Sequence, residues 1–323
     1  MPRSAKNGAQ KAGREAAPAN GQAAPDGAPE PSATKRLTLP ADLPLSASME
    51  RALAGVVRYA QDQVARAAKD PEKAVHEFRK SARRARAVVK LWRPTLGAER
   101  FQELNDACRQ AVRETSSLRD ADVLLAHVVA QQRTPETQPV LDALEAHLRR
   151  QRDEAQGTRD VDAALRAGAA LLASLPQRFA DALPAEVGLD ELQVALAESF
   201  RRARRARKQA KSTRSDDALH AWRKRTKELR YQLELLSDVA RASDEHTALA
   251  SLAEELGQIT DRIVLRTYAR EHKAALRPAK PKPLTRAVQR QIEDLTAQAL
   301  RESKPLFGES PREFARRVTV GPA

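Results

Sequence analysis

Two histidines mark the segments of this chain that could do chemistry. His76 and His220 each head a run of cations spaced three and four residues apart: Arg79, Lys80, Arg83 and Arg86 after the first, and Arg223, Lys224, Lys227 and Arg230 after the second. The surrounding segments are duplicates. Ala74-Val75-His76-Glu77-Phe78-Arg79-Lys80 reappears as Ala218-Leu219-His220-Ala221-Trp222-Arg223-Lys224. Arg83 then matches Lys227, Arg86 matches Arg230 and Leu91 matches Leu235, all at one offset (220 − 76 = 144, 230 − 86 = 144). A guanidinium is a forked donor suited to phosphate-like oxygens, and an ammonium is a mobile point charge. An imidazole can donate a hydrogen bond in either protonation state. Such a set suits an anion. A reaction would need a nucleophile or a metal-holding cluster beside it, and no such group stands in the pattern. No second His, Cys or carboxylate recurs at ligand spacing, so neither a metal nor another cofactor is expected.

Helical periodicity places these residues. At about 100° per residue, His76, Arg79, Lys80, Arg83 and Arg86 share about 120° of arc, while Val75, Phe78, Ala82, Ala85 and Val89 form a separate apolar arc. The second copy packs through Leu219, Trp222, Thr226, Leu229 and Leu233, with Tyr231 in phase with its cations. The helix preceding it carries a similar stripe: Arg201, Arg204, Arg205, Lys208 and Lys211. A charged helix face is ordinarily just solvated. A solvated face, however, interleaves acids at four-residue spacing, because like charges there cost about 0.2–0.5 kcal/mol per pair. Here Glu77 and Glu228 fall outside the stripe and Glu234 lies beyond its last cation. Repeated like-charge ridges predict an anionic ligand.

Composition agrees. The chain has 57 Lys and Arg against 43 Asp and Glu, a net charge of +14 over 323 residues. That balance points to a polyanion: nucleic acid, a phosphate polymer or an anionic membrane surface. Aromatic residues are only 3%, so Leu, Ala and Val must supply the core, and the Ala, Arg, Leu and Glu-rich mixture favours helix. Cys108 is the sole cysteine, excludes an internal disulfide, and reads as a small buried thiol. No secretory leader and no membrane-spanning run is evident, which gives a cytoplasmic location as the expectation.

The elements that position the stripes follow from start and stop signals. Residues 1–43, rich in Ala, Pro and Gly, read as a disordered tail. A helix is expected from about Ser48 to Lys69. A second opens at Asp70-Pro71-Glu72, where Asp can cap, Pro fits the first turn and Glu opposes the dipole; Pro94 ends it. A third runs from about Ala98 toward Gln132, disturbed at Ser116-Ser117, and a fourth starts at Thr134-Pro135-Glu136. Residues 157–186 read as a connection that holds one or two shorter helices. The second half (187–303) holds helices from about Leu189 to Lys211, Ser215 to Ala242, Glu245 to Leu276 and Leu284 to Glu302, with 304–323 as a C-terminal tail. The first half spans 44–156.

At these residues the sequence resembles the CHAD family, the conserved histidine α-helical domain. The family's hallmark is a pair of segments of the form His-x-x-Arg-(Lys/Arg)-x-x-(Arg/Lys)-x-x-(Arg/Lys), matched by the helices of His76 and His220. A further acidic signature is matched by Leu118-Arg119-Asp120-Ala121-Asp122-Val123 and, in part, by Leu256-Gly257-Gln258-Ile259-Thr260-Asp261. The resemblance covers about Leu45 to Leu300. It implies an all-α fold of two pseudo-symmetric four-helix bundles whose basic helices line a shared cavity. It also implies binding of long-chain inorganic polyphosphate and association with polyphosphate granules.

The expected function is therefore non-catalytic binding of polyphosphate by the two repeated stripes and by Arg201, Arg204, Arg205 and Lys208. Asp120, Asp122, Tyr231 and Asp261 would support the cations. The alternatives are a nucleoid-type nucleic-acid binder, for which no helix-turn-helix, zinc or RNA-binding signature is found, and a metal-dependent phosphohydrolase, whose carboxylates would here be scattered by helical phase. Oligomeric state is not legible.

Overall fold

The computed structural model describes residues 33–36, 39, 43–116, 120–156, 160–184, 187–236 and 240–319. Among them every regular element is helical, and no helix is long and apolar enough to cross a membrane. The first half comprises α1 (Leu45–Arg66), α2 (Pro71–Leu91), the short α3 (Arg93–Leu96), α4 (Ala98–Glu114), α5 (Asp120–Val129), α6 (Gln138–Gln156), α7 (Val161–Ala173) and α8 (Leu175–Ala182). The second comprises α9 (Leu189–Thr213), α10 (Asp216–Glu234), α11 (Ala240–Glu271), α12 (Lys282–Glu302) and, after a 3₁₀ turn, α13 (Pro311–Thr319).

The start signals act as the chemistry requires. Asp70 accepts from the Lys73 amide at 3.0 Å ahead of Pro71, and Ser215 accepts from the Ala218 amide at 3.3 Å. Each side chain satisfies one of the free N–H groups that a helix leaves at its N-terminus.

Two bundles result. In the first, α1, α2, α4 and α7 pack around one another; in the second, α9, α10, α11 and α13 do so. The outlying α6 lies on α5, and α12 on α11. The fourth helix of the first bundle thus comes from the connection, where one or two short helices were expected, and that of the second from the expected tail. In α7, part of the expected 157–186 connection, Leu165 and Leu172 are fully buried. Gly168 lies so close to Phe78 that an added Cβ would stand 2.6 Å from the ring. In α13, part of the expected 304–323 tail, Phe314 is fully buried and stacks on Phe200 at 4.1 Å. Only α13 was hidden: it is short and shows few apolar residues among charged neighbours. Phe314→Ala is expected to cost about 3–5 kcal/mol of stability, measured by denaturant unfolding; a dispensable tail would leave the midpoint unchanged.

Residues 1–32 lie outside the described residues, but the end of the expected N-terminal tail is docked. The Thr34 amide donates to the Gly55 carbonyl at 3.0 Å, and the Leu39 amide to the Leu235 carbonyl at 3.2 Å. This strap therefore touches α1 and the end of α10.

The bundles join where α2 crosses α10 in antiparallel sense. Arg84 makes a two-pronged pair with Glu234 (2.7 and 2.8 Å), Gln232 donates to the Ala87 carbonyl at 3.0 Å, and Lys90 meets Glu228 at 2.6 Å. The 144-residue repeat explains the pattern. Position 84 is equivalent to 228, and 90 to 234 (228 − 84 = 144, 234 − 90 = 144). The two ion pairs are images of each other across a pseudo-twofold axis, and the copies have diverged so that α2 supplies both cations and α10 both anions.

Candidate functional site

The duplicated ridges meet on one side of this crossing. Lys227 of α10 lies among Arg223 and Arg230 of its own helix, Arg83 of α2 and Asp261 of α11. Lys80 of α2 lies beside Arg84, Glu77, Lys35 of the strap, and Arg230 of α10. Cations of both halves therefore lie together along this crossing.

Lys227 also lines a cleft of about 650 Å³ between α10 and α11. Arg223, Lys227 and Arg230 form one wall; Thr247, Ser251, Glu254, Gly257, Gln258 and Asp261 form the other. The glycine matters here: a Cβ at Gly257 would sit 3.7 Å from Nε and Nη2 of Arg223, so the guanidinium rests directly over the helix backbone. The Nε atoms of Arg223 and Arg230 are buried and have no hydrogen-bond partner among the described residues. A buried donor without a partner costs about 1–3 kcal/mol, a cost that an anionic oxygen would remove.

The electrostatics match this crowding. Burial and then Arg223, Arg83 and Arg230 push the Lys227 ammonium down to about 7, against the smaller opposing pull of Asp261. Burial, followed by Arg84, also lowers Lys80. His220, exposed at the head of its stripe, is lowered by partial burial and by Lys224 and Arg223. In each case burial is the largest cause, and neighbouring cations add to it.

The low Lys227 value makes stability depend on pH. The unfolded lysine titrates near 10.4, so between about pH 7 and pH 10 the unfolded chain binds a proton that the folded chain does not. Stability should therefore rise as pH climbs through this window. Below pH 7, with Lys227 charged in both states, the full penalty of about 2–4 kcal/mol is felt. Relative to Lys227→Met, the wild type is expected to gain stability from pH 6 to pH 9 in denaturant titrations; parallel pH profiles would refute the assignment.

Equivalent positions in the repeat take different roles. Arg79 matches Arg223, yet it is only 7% exposed and donates to the Val112 carbonyl at 3.1 Å and to Ser116 Oγ at 3.2 Å. The cause is the neighbouring helix. In the first half α4 stops at Glu114, leaving C-terminal carbonyls that need donors, and Arg79 supplies one. In the second half α11 runs unbroken past Gly257, its carbonyls are satisfied within the helix, and Arg223 is left facing the cleft. Arg86 is likewise engaged, donating to Asn105 at 2.9 Å, with burial lowering its pKa. His76 and Arg83 are half-buried, and Lys224 is exposed.

Among the expected supporting residues, Tyr231 is 4% exposed and sandwiched between Arg84 and Arg230, whose guanidinium carbons lie 5.4 and 5.2 Å from its ring centre. It orients a groove arginine rather than reaching a ligand. Asp261 lies 3.2 Å from Nε2 of His127, so α5 and α11 are clipped together across the two halves. Asp122 is half-buried on α5, whereas the side chain of Asp120 is outside the described residues.

The α9 stripe, expected to share in the binding, makes its described contacts away from this cleft. Arg201 pairs with Glu198, Arg204 donates to the Glu309 carbonyl at 3.1 Å, and Arg205 and Lys208 are exposed. No described contact brings them to the cleft. On α9, Arg202 faces α10, 3.6 Å from Glu228. The stripe sits on a different face of its bundle because α9 approaches α10 from the flank opposite α11.

His127 and His246 were not foreseen. His246, on α11, has a buried Nε2 without a described partner and lies near Glu234, Arg230, Arg36 and Arg84. Neither belongs to the repeat, and only the three-dimensional packing of α5 and α11 reveals them.

Comparison with known proteins agrees with this architecture. The CHAD domain family model matches residues 49–270. The crystal structure of the CHAD domain from the plant Ricinus communis is similar over 90% of this chain and 97% of that one, with a TM-score of 0.56 and 22% identity. No curated protein matches the sequence.

Proposed function

The chain belongs to the CHAD domain family, and from that premise we propose that it is a non-catalytic binder of inorganic polyphosphate that holds the polymer along the groove shared by α2 and α10. The observation that carries the reading is the crowding at Lys227: four cations from two helices converge there, opposed by the carboxylate of Asp261. A flexible chain of phosphates can thread such a groove, accept from the idle Nε atoms of Arg223 and Arg230, and relieve the repulsion. The same interactions would attach the protein to polyphosphate granules.

Nucleic acid is the competing ligand. Sequence-tolerant single-strand binding draws on aromatic side chains that stack with bases. Here Trp92 and Trp222 are fully buried and Tyr231 nearly so, which favours a ligand without bases. Long polyphosphate is expected to displace single-stranded DNA at much lower phosphate concentration than the reverse.

Salt provides the quantitative test. Log affinity should fall against log salt with a slope of about 0.7 per phosphate neutralised, by analogy with single strands. Calorimetric titration across a salt series is expected to give a slope of about −3, as for four or five neutralised phosphates. A flat dependence would rule out a charge-based groove.

A further inference from the structure

Lys227 carries a chemical capacity that anion binding alone does not require. Its amine lines the α10–α11 cleft, faced by Arg83 from α2, Arg223 and Arg230 from α10, and Asp261 from α11. With its pKa held at about 7, near half of the amine is unprotonated at neutral pH; an ordinary lysine is free base in only about one molecule in a few thousand. The amine is thus a competent nucleophile. On either side of it in sequence, Arg223 and Arg230 present buried Nε donors without described partners. A cleft of about 650 Å³ has room for a small phosphorylated molecule. A free amine flanked by two phosphoryl-binding groups brings nucleophile and leaving group together.

We propose that Lys227 is a modification site for small acyl phosphates, with Arg223 and Arg230 holding the phosphoryl group while the amine takes the acyl group. The inference rests on the anion-binding reading for the role of the two arginines. The amine lone pair attacks the carbonyl carbon. The bond from that carbon to the phosphate oxygen then breaks, and its electron pair leaves with orthophosphate. The nitrogen loses a proton to water, and an amide remains; nothing is oxidised or reduced. The product has lost a cation at the centre of the groove, so acylation should weaken polyphosphate binding and tie it to the supply of acyl phosphate.

The test treats the full chain with acetyl phosphate near neutral pH and follows acetylation of every lysine by mass spectrometry. A parallel reaction uses an uncharged N-hydroxysuccinimide ester of acetate, and both are repeated with tripolyphosphate. Lys227 is expected to lead exposed lysines such as Lys224 and Lys208 by at least about tenfold with acetyl phosphate. The lead should shrink with the uncharged reagent, and tripolyphosphate should abolish it. Equal rates at Lys227 and Lys224, an equal lead with both reagents, or indifference to tripolyphosphate would each overturn the inference. Polyphosphate affinity of the unmodified protein is measured alongside. Tight binding without a Lys227 preference defeats the modification site alone, whereas a Lys227 preference without polyphosphate binding defeats the functional reading.

Discussion

Reversing Arg83 and Lys227 together, as Arg83→Glu/Lys227→Glu, is expected to lower the affinity for long-chain polyphosphate by about a thousandfold. Removing a partly desolvated charge interaction costs about 2 kcal/mol or more, and each factor of ten requires about 1.4 kcal/mol. Removing two such interactions from one groove is therefore sufficient, before any repulsion from the new carboxylates is added. The comparison that gives the result meaning is Arg205→Glu/Lys208→Glu, which changes net charge by the same amount on the exposed face of α9. That variant should lose only about tenfold, through the screened long-range field. Equal losses would mean that net charge, not the groove, governs binding. Because Lys227 already sits among repelling cations, the reversed groove should fold, which circular dichroism and thermal melting would verify.

The second large effect concerns the joint between the bundles. The side chains of Arg84 and Glu234 are 3% and 4% exposed. Arg84→Met should cost about 3–5 kcal/mol, because it strands a carboxylate in the interior. The double variant Arg84→Met/Glu234→Leu should recover most of that loss, since replacing a buried ion pair by apolar residues of similar volume is often neutral or stabilising. Urea unfolding of the single and double variants measures both. A single variant no less stable than the wild type would show that the pair does not hold the crossing together. The groove depends on this joint, because the same crossing that buries Arg84 and Glu234 sets Arg83 beside Lys227.

How much of this could be read beforehand depended on what each residue's neighbours were. The stripes on α2 and α10 were legible because the duplication repeats both the cations and the apolar face behind them, and a helix crossing its own duplicate buries like against like. The helix starts at Asp70 and Ser215 were legible because capping is a local interaction. The different fates of Arg79 and Arg223 were not. They depend on whether the adjacent helix breaks, at Thr115 and Ser116, or continues, past Gly257, a property of segments more than 30 residues away. The placement of the α9 stripe was not legible for a related reason. Its spacing equals that of the ridges on α2 and α10, but spacing fixes only which residues share a face, not the direction in which the bundle turns it. The fourth helix α13 escaped, and the part α7 plays as a bundle member was not legible, because tertiary packing, not propensity, makes such short elements stable.

Lysine footprinting tests the shared groove most directly. The protein is labelled by reductive methylation with and without saturating long-chain polyphosphate, and the protection of each lysine is quantified by mass spectrometry. A groove built from both halves predicts that Lys80 of the first half and Lys227 of the second are protected together, at the same polyphosphate concentration, while Lys208 and Lys211 on α9 keep their reactivity. Protection confined to one half, or spread evenly over every surface lysine, would contradict it.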